Sequence, residues 1–413
     1  MQESAPSHPR PSRRLGAAVA VAALAAGVAV LPAAARADAP RAAGPVCAGE
    51  PAPVFGAAKP DGAENAKFTA YGNDNTRLDD WTGADTTYSL KLSDGRTVFA
   101  YSDTFLGKVD ADGSRPVVTD EGGTTPFLNN SFVVEGTDGS LSTVHRGPAS
   151  DPVEPMPPSQ AAHWYWAGDL TESGGEVQQL YREYYDPDPG NNDPWDLRWK
   201  RNVLARFAPG SMAAPTEVRD APSVTGVQWG SALLKDGGHT YVYGTEDFTD
   251  PETKVNTKYL HVARVKGTDL RGAWSYRTAA GWSATEADSA RLMSGVSNEF
   301  SVTRRGSHYI LISQDTKEYV STEIDAYLSC SAAGPFTGER TVYNTPETGA
   351  SGTYGNADVY TYNAHAHASL SSANTLVVSY NVNSLDKTEG EENDNYTDVS
   401  IYRARFVDVP VTG

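Results

Sequence analysis

Hydrophobic and polar residues alternate in short segments along most of the chain that follows residue 66. Alternation with a period of two residues, interrupted by glycine, aspartate, asparagine and serine at turns, is typical of β-strands with one buried face. The same region contains no long segment with the 3.6-residue period of an amphipathic helix. The pattern therefore predicts an all-β protein.

A unit of two strands joined by a tight turn recurs five times along this region. Its turns lie at residues 93–95, 174–175, 236–237, 305–306 and 373–374. A third strand pattern also repeats, at residues 203–207, 260–265 and 401–406. The spacing of these units matches one four-stranded propeller blade with its loops. We therefore predict a single five-bladed β-propeller over residues 67–413. A pair of β-sandwiches is the alternative fold, but it does not predict the repeat.

The first 37 residues have the order of a secretory signal peptide. Arg13 and Arg14 precede an apolar run from about Leu15 to Leu31, and a small-residue cleavage site follows at 35–37. A membrane anchor is the alternative, but the run is shorter than the roughly 20 residues that a spanning helix needs. Residues 38–66 are rich in alanine, proline and glycine and indicate a tail or strap. We therefore expect a secreted, extracellular protein with no membrane segment in its mature part.

Two cysteines, Cys47 and Cys330, lie in the mature chain. In an oxidising compartment an even pair predicts one disulfide bond, which would join the N-terminal tail to the fourth repeat. Two buried free thiols are the alternative. Neither cysteine lies in a CxxC motif or near a histidine, which argues against a metal-binding or catalytic role.

The formal net charge of the chain is −18 at pH 7. Nucleic acids and anionic lipid surfaces bind clustered lysine and arginine, so this charge argues against both as partners. It suits a protein that binds neutral or weakly charged ligands. We expect a monomer whose partner is a polysaccharide or oligosaccharide.

Two aspartates of the first repeat are the main candidates for chemistry. Asp85 precedes the first strand and Asp103 ends the second. The segment 93–95 between these strands suits a three-residue hairpin loop with glycine in the left-handed position. This loop pairs Leu92 with Arg96, and the same register pairs Asp85 with Asp103 on one face. A two-residue turn would instead place the two aspartates on opposite faces.

Two carboxylates on one face of a strand pair repel each other, so a purely structural hairpin tends to avoid them. They are tolerated where a cation bridges them or where one of them stays protonated. A protonated and an ionised carboxyl side by side are the acid and the base that glycoside hydrolysis requires. The alternative is structural, with Asp85 capping a turn and Asp103 binding backbone amides at a blade corner.

The first repeat also resembles a known family. Gly83-x-Asp85 at a strand start, a hairpin, and the corner Ser102-Asp103-Thr104-Phe105 look like the secreted five-bladed propellers of the endo-D-arabinanase type, glycoside hydrolase family 183, and their uncharacterised relatives. More distantly, the chain resembles furanosidase propellers such as family 43. The resemblance implies hydrolysis of a furanose-containing polysaccharide, of the arabinan or arabinogalactan type, by Asp85 and Asp103. Ser102 and an insertion in the second repeat depart from the family pattern, which leaves the substrate open.

Further candidate residues lie at positions that would line or border the central funnel of the predicted propeller. They are Asn130, Trp166, Asp169, Glu246, Glu299, His365 and His367. Trp166 and Asp169 suit stacking against a sugar and bonding its hydroxyl groups, and Asn130 suits holding a hydroxyl or orienting Asp103. Glu299 is a third carboxylate that could tune the pair. For each of these residues, a turn or ordinary packing is the structural alternative.

His365 and His367 lie two residues apart on a predicted strand and therefore share a face. They could bind substrate or a central cation, since relatives in family 43 often have a histidine near a calcium ion at this place. We expect no required cofactor and consider a structural Ca²⁺ ion.

Three functions stay open on the sequence. The first is a secreted glycoside hydrolase with a pair of catalytic aspartates, and the second is a non-catalytic carbohydrate-binding propeller. The third is a propeller used for protein contacts. The sequence contains no nucleophile elbow, P-loop or zinc motif that would favour another enzyme class.

Overall fold

The computed structural model describes residues 44–190, 196–317 and 320–413. The signal peptide predicted at residues 1–37 lies outside these residues. Within them, strands greatly outnumber helices, which confirms the all-β prediction. No helix in the described ranges is long and apolar enough to cross a membrane.

The chain enters the fold through two short strands and a helix. These are β1 (Val54–Phe55), β2 (Lys59–Pro60) and α1 (Gly62–Gly72). The Asp61 carboxylate caps α1 by accepting hydrogen bonds from the backbone amides of Ala63 and Glu64, both at 3.0 Å. Phe68 is its one deeply buried large apolar side chain. Because only one large apolar side chain of this helix is buried, the sequence shows no helical periodicity here. The hydrophobic pattern therefore does not predict this helix.

The remaining elements follow in chain order. The first region contains β3 (Trp81–Ala84), β4 (Tyr88–Lys91), β5 (Thr97–Tyr101), β6 (Thr104–Leu106), β7 (Phe127–Leu128), β8 (Ser131–Glu135) and β9 (Leu141–Val144). The second contains β10 (His163–Ser173), β11 (Glu176–Tyr185), β12 (Arg198–Phe207) and β13 (Glu217–Asp220). The third contains β14 (Gln228–Asp236), β15 (His239–Thr249), β16 (Asn256–Lys266), β17 (Trp274–Arg277), β18 (Trp282–Ser283) and β19 (Met293–Ser294). The fourth contains β20 (Phe300–Arg305), β21 (His308–Gln314), β22 (Glu323–Ser329) and β23 (Thr337–Asn344). The fifth contains β24 (Val359–Ala366), β25 (Thr375–Ser384), α2 (Asp394–Thr397) and β26 (Ala404–Thr412). Short 3-10 helices lie at Thr119–Glu121, Glu286–Asp288, Gly390–Glu392 and Val399–Tyr402.

Five antiparallel sheets of four or more strands account for most of the described chain. The first sheet has the order β4-β5-β8-β9, and a small sheet β3-β6-β7 lies beside it. The second sheet is β10 to β13, the third is β14 to β18 with β19 on β16, and the fourth is β20 to β23. The fifth sheet has the order β24-β25-β26-β1, so a strand from the N-terminal segment pairs with the C-terminal strand β26 and completes the sheet.

The five sheets follow one another in a closed series. Their first strands are neighbours in the pairs β4 and β10, β10 and β14, β14 and β20, and β20 and β24. The series returns to its start where His367, just after β24, bonds Ser89 in β4 with Nδ1 and Oγ 2.8 Å apart. The first strands of all five sheets are therefore brought close to one another.

A hydrophobic cluster lies between each two successive sheets. Residues of successive sheets that share a cluster include Tyr88 and Tyr165, Leu180 and Trp229, Tyr243 and Phe300, Ile312 and Val378, and Phe99 and Phe406. The last of these joins the fifth sheet to the first. The apolar faces predicted from the alternating pattern are thus buried against neighbouring sheets, and this packing of sheet on sheet is the main source of stability.

The predicted disulfide bond is present between Cys47 and Cys330. Cys330 directly follows β22, so the bond attaches the N-terminal segment to the fourth sheet, as the sequence predicted. On the other side of this segment, Val54 pairs with Thr412 in the fifth sheet. The segment therefore spans two successive sheets and holds them together.

Reduction of this bond is expected to lower the free energy of unfolding by about 2–5 kcal/mol, because the cross-link closes a very long loop in the unfolded chain. Urea unfolding with and without a thiol reductant measures the difference. The double variant Cys47→Ser/Cys330→Ser serves as control, since it should unfold at the reduced midpoint under both conditions. An unchanged midpoint in the reduced wild type would show that the strand pairings alone hold the segment.

Candidate active site

The hairpin of the first sheet has the predicted register. Leu92 and Arg96 bracket a three-residue loop, with the Leu92 amide 2.8 Å from the Arg96 carbonyl oxygen. Gly95 closes the loop at φ +95°, in the region that favours glycine. Beyond the loop, Tyr88 pairs with Ala100 in the same register.

The ladder becomes irregular where the two aspartates meet. The Asp85 amide donates to the Asp103 carbonyl oxygen at 3.1 Å, but the Asp85 carbonyl oxygen accepts from Ser102 rather than from Asp103, also at 3.1 Å. Thr86 adopts a left-handed backbone conformation, φ +60°, which is rare for a β-branched residue. The chain therefore bends between β3 and β4 at the point where the two carboxyl groups lie.

The Asp85 carboxyl group has few hydrogen-bond donors around it. Its Oδ2 accepts one long hydrogen bond, 3.4 Å, from the Tyr362 hydroxyl. Its Oδ1 is buried and has no hydrogen-bond partner. Burial, together with the nearby charges of Asp103 and Glu299, raises the pKa of Asp85 well above its usual range. This environment favours the protonated form.

The Asp103 carboxyl group lies in a different environment. Its Oδ1 accepts hydrogen bonds from Asn129 Nδ2 at 2.9 Å and from Trp166 Nε1 at 3.0 Å. Two N–H donors to one carboxylate oxygen favour the ionised form. The two aspartates are thus neighbours whose carboxyl oxygens have different hydrogen-bond partners.

Glu299, the residue directly before β20, supplies a third carboxyl group. Its Oε1 accepts a hydrogen bond from the Thr86 hydroxyl at 2.8 Å, so it lies against the bend that carries Asp85. Burial raises the pKa of Glu299 to about 7, while Arg182 and the Thr86 hydroxyl oppose that shift. Asp85, Asp103 and Glu299 are called the carboxyl cluster below.

Arg182 is the buried cation next to the carboxyl cluster. Its Nη2 lies 3.9 Å from Glu299 Oε1 and donates to the Tyr88 hydroxyl at 3.0 Å. Its Nη1 donates to the Asn298 carbonyl oxygen at 3.5 Å. Arg182 thereby joins the second sheet to the first and the fourth. Sequence reasoning missed this residue, because an arginine inside a strand gives no sign that its partners come from other sheets.

Trp166 bonds Asp103, a contact that the sequence did not predict, whereas Asn130 does not make the contact with Asp103 that we expected. The Asn130 amide donates to the carbonyl oxygens of Met156 and Tyr165 and accepts from the Met156 amide. These backbone bonds use the whole side chain, so the neighbouring Asn129 has the orienting contact with Asp103 that we expected from Asn130.

Asp169 and Glu246 also lie outside the cluster. The Asp169 carboxylate accepts from the backbone amides of Leu170 and Leu233, at 2.8 and 2.6 Å, and so links the second and third sheets. Glu246 pairs with Arg291 at 2.7 Å and bonds His261 at 3.1 Å. Both carboxylates have partners within the protein, and a role for them in binding a sugar stays a prediction.

His365 and His367 are neighbours, with ring centroids 5.4 Å apart. His365 Nδ1 bonds the Phe300 carbonyl oxygen at 3.0 Å. Both ring nitrogens of His367 are used, by Ser89 and Ser379, each at 2.8 Å. Burial lowers the pKa of His365 to about 4. The shared position that the sequence predicted is present, but the His367 nitrogens are committed to the packing of the first and fifth sheets.

No three or more histidine, cysteine, aspartate or glutamate side chains are grouped to hold a metal ion in the described part of the chain. The structural Ca²⁺ ion considered from the sequence stays a prediction.

A cavity of about 450 Å³ lies beside the carboxyl cluster and is lined by residues of the third, fourth and fifth sheets and the loops between them. Tyr362 borders this cavity and also contacts Asp85, while Ser297 and Asn298 border it next to Glu299. Neither aspartate lines it, and Asp85 and Asp103 are only 5% and 1% exposed. Tyr362 is therefore a residue that links the cavity lining to Asp85.

The chain matches one protein-family model over residues 65–410, that of DUF5005, a domain of unknown function. It belongs to the DUF5005 family. No match was found among curated proteins. This DUF5005 protein is similar in structure to a protein from Bacteroides ovatus that is provisionally described as a hydrolase, with 20% identity, a TM-score of 0.66, and coverage of 85% of this chain and 90% of that one. That similarity shows a shared fold.

Weaker similarities of the DUF5005 chain connect it to two glycosidases. One is a family 43 β-xylosidase/α-arabinofuranosidase from a compost metagenome, at 12% identity and a TM-score of 0.45, with 87% of this chain and 94% of that one covered. The other is a family 62 α-L-arabinofuranosidase of Coprinopsis cinerea, at 12% identity and a TM-score of 0.41, with 82% and 93% covered.

Proposed function

We propose that this DUF5005 chain is a secreted glycoside hydrolase and that its five sheets are the blades of a five-bladed β-propeller. The observation that carries the proposal is the pair of neighbouring buried aspartates in different hydrogen-bonding environments, two N–H donors on Asp103 and one long hydroxyl contact on Asp85. Glycoside hydrolysis needs one carboxyl group that donates a proton and one carboxylate that activates water or attacks the sugar. The proposed substrate is a furanose-containing polysaccharide of the arabinan or arabinogalactan type, on the resemblance of residues 83–105 to arabinanases.

The hydrogen bonds assign the two roles. Asp85 is the proposed general acid, because its unpartnered Oδ1 can carry the proton to the leaving oxygen. Asp103 is the proposed base or nucleophile, because the N–H groups of Asn129 and Trp166 hold it as a carboxylate. Burial, together with the nearby charges of Asp103 and Glu299, favours the protonated form of Asp85.

Both aspartates are buried, and Tyr362 borders the adjoining cavity while its hydroxyl contacts Asp85. In this proposal a substrate that enters from the cavity displaces the Tyr362 ring before it reaches Asp85. The same enclosure favours a second candidate function, a non-catalytic carbohydrate-binding propeller. In that case the carboxyl cluster is a buried structural feature, and the sugar stays in the cavity.

A substrate panel distinguishes the two functions. Residues 38–413 are incubated with D- and L-arabinans, arabinogalactan, galactans and fructans, and released oligosaccharides are measured by chromatography. The hydrolase proposal predicts release from at least one furanose-containing polymer. Retention of a polymer on the protein without any release would favour the binding function.

The variant Tyr362→Phe is expected to shift the pH dependence of hydrolysis. The Tyr362 hydroxyl bonds Asp85 and lowers the pKa of that carboxyl, so its removal raises the Asp85 pKa further. A general acid acts only while protonated, so the alkaline limb of the pH–rate profile should move to higher pH. The measurement is kcat/KM against pH for both proteins. A limb that stays in place, or moves to lower pH, would contradict the role of Asp85 as the acid.

A further inference from the structure

One residue that borders the cavity beside the carboxyl cluster has a buried acceptor that lacks a donor. Gln314 borders the cavity and is 4% exposed. Its Nε2 donates to the Ser321 carbonyl oxygen at 2.8 Å, which fixes the orientation of the amide. Its Oε1 is buried and has no hydrogen-bond partner. Buried polar atoms are rarely left unsatisfied, and this one belongs to a residue of the cavity lining, so it is a candidate acceptor for a hydroxyl or N–H group of a ligand in the cavity.

Two tyrosines form an aromatic part of the same cavity. The rings of Tyr360 and Tyr362 are stacked, with centroids 5.2 Å apart, and both residues line the cavity. Aromatic rings combined with a few polar groups are typical of small-ligand sites, and a volume of about 300–1,000 Å³ is usual for them. A sugar ring has both features, apolar C–H groups on its faces and hydroxyl groups on its edge.

The charges around the cavity argue against an acidic ligand. Two lysines line it, and both already have carboxylate partners. Lys258 pairs with Asp247, and Lys317 pairs with Glu339 and lies 3.8 Å from Asp315. An acidic sugar would need a cation that is not already neutralised, and it would also approach the nearby carboxyl cluster. Like charges in that arrangement would oppose its binding.

We propose that this cavity is the binding site for neutral sugar residues next to the bond that is cut, and that it selects them over uronic acids. The proposal rests on the proposed function for its position relative to the cut bond. The carbonyl oxygen of the Gln314 side chain accepts from a sugar hydroxyl, and the stacked tyrosines contact the ring. The cavity therefore determines which polymer the enzyme accepts.

The test measures binding without hydrolysis, by titration calorimetry on the Asp103→Asn variant of residues 38–413. The neutral probes are arabinotetraose and galactotetraose, and the acidic probe is tetragalacturonate. We expect at least one neutral probe to bind at least tenfold more tightly than the acidic probe. Adding Gln314→Leu should weaken that binding at least tenfold.

A matched control separates this contact from a general effect on the fold. Gln179 is also a buried glutamine whose Nε2 donates to a backbone carbonyl and whose Oε1 lacks a partner, but it lies in the second sheet away from the cavity. Gln179→Leu should therefore leave the affinity unchanged.

Each outcome decides the inference separately from the proposed hydrolase activity. Equal affinities for the Gln314→Leu and Gln179→Leu variants, tighter binding of tetragalacturonate, or no binding of either neutral probe would overturn it. If the neutral probe binds as expected but wild type releases nothing from the substrate panel, the hydrolase proposal fails and the sugar site stands. If wild type hydrolyses a polymer but Gln314→Leu does not weaken binding of the neutral probe, the inference about the sugar site fails and the hydrolase proposal stands.

Discussion

Asp85→Asn and Asp103→Asn are each expected to lower kcat by a factor of about 10² to 10⁴, the usual contribution of a general acid or base. Asparagine keeps the size of the side chain but can neither donate the carboxyl proton nor act as a carboxylate. The loss should appear in kcat rather than in KM, because both groups act on the bond that is cut and not on the neighbouring sugars. The assay is the initial rate of oligosaccharide release, measured alongside the thermal midpoint of each variant.

Glu347→Gln provides the matched control for these substitutions. Glu347 is also buried with a raised pKa, but it bonds the Tyr380 hydroxyl in the fifth sheet, away from the carboxyl cluster. The same exchange of carboxyl for amide should leave kcat unchanged there. If Asp85→Asn or Asp103→Asn retained wild-type kcat, the carboxyl cluster would be structural and the enzymatic proposal would fail.

Arg182→Met is expected to have the largest effect on stability and to move the pH profile as well. Removal of one partner of a buried charge pair costs about 3–5 kcal/mol of unfolding free energy. Arg182 also lowers the pKa of Glu299, so without it Glu299 becomes protonated more easily. A protonated Glu299 no longer raises the pKa of Asp85. The acid then loses its proton at lower pH, and the alkaline limb of the rate profile should shift to lower pH.

The conservative variant Arg182→Lys separates these two effects. It keeps the positive charge near Glu299, so its alkaline limb should lie close to that of wild type even if its thermal midpoint is reduced. Thermal unfolding gives the stability, and kcat/KM against pH gives the limb. If the alkaline limb of the pH–rate profile lay at the same pH in Arg182→Met and Arg182→Lys, Arg182 would only support the packing between sheets.

The sequence was most informative where structure is local. The hairpin from Leu92 to Arg96 follows from a loop of three residues that ends in glycine, and this register brings Asp85 and Asp103 together without knowledge of the rest of the chain. The disulfide partners were equally accessible, because Cys47 and Cys330 are the only two cysteines in the sequence. These predictions depend only on the turn and strand pattern of one hairpin and on the presence of a single pair of cysteines.

The parts that depend on contacts between sheets could not be predicted in this way. Asn129 and Asn130 are chemically identical neighbours, and only the packed structure shows that Asn129 reaches Asp103 while Asn130 binds backbone. Arg182 and Tyr362 come from the second and fifth sheets, so no motif connects them to Asp85. In the sequence Asp169 resembles a site residue. Only the packed structure shows that its carboxylate accepts a hydrogen bond from the backbone amide of Leu233 in the next sheet.

The most direct test of the central claim is a crystal structure of the Asp103→Asn variant with an oligosaccharide that the wild type cleaves. The account predicts a glycosidic oxygen within hydrogen-bond distance of the Asp85 carboxyl, with the Tyr362 ring displaced and the adjoining sugar residues in the cavity. A bound oligosaccharide that leaves Tyr362 in place and contacts neither residue 85 nor residue 103 would contradict it.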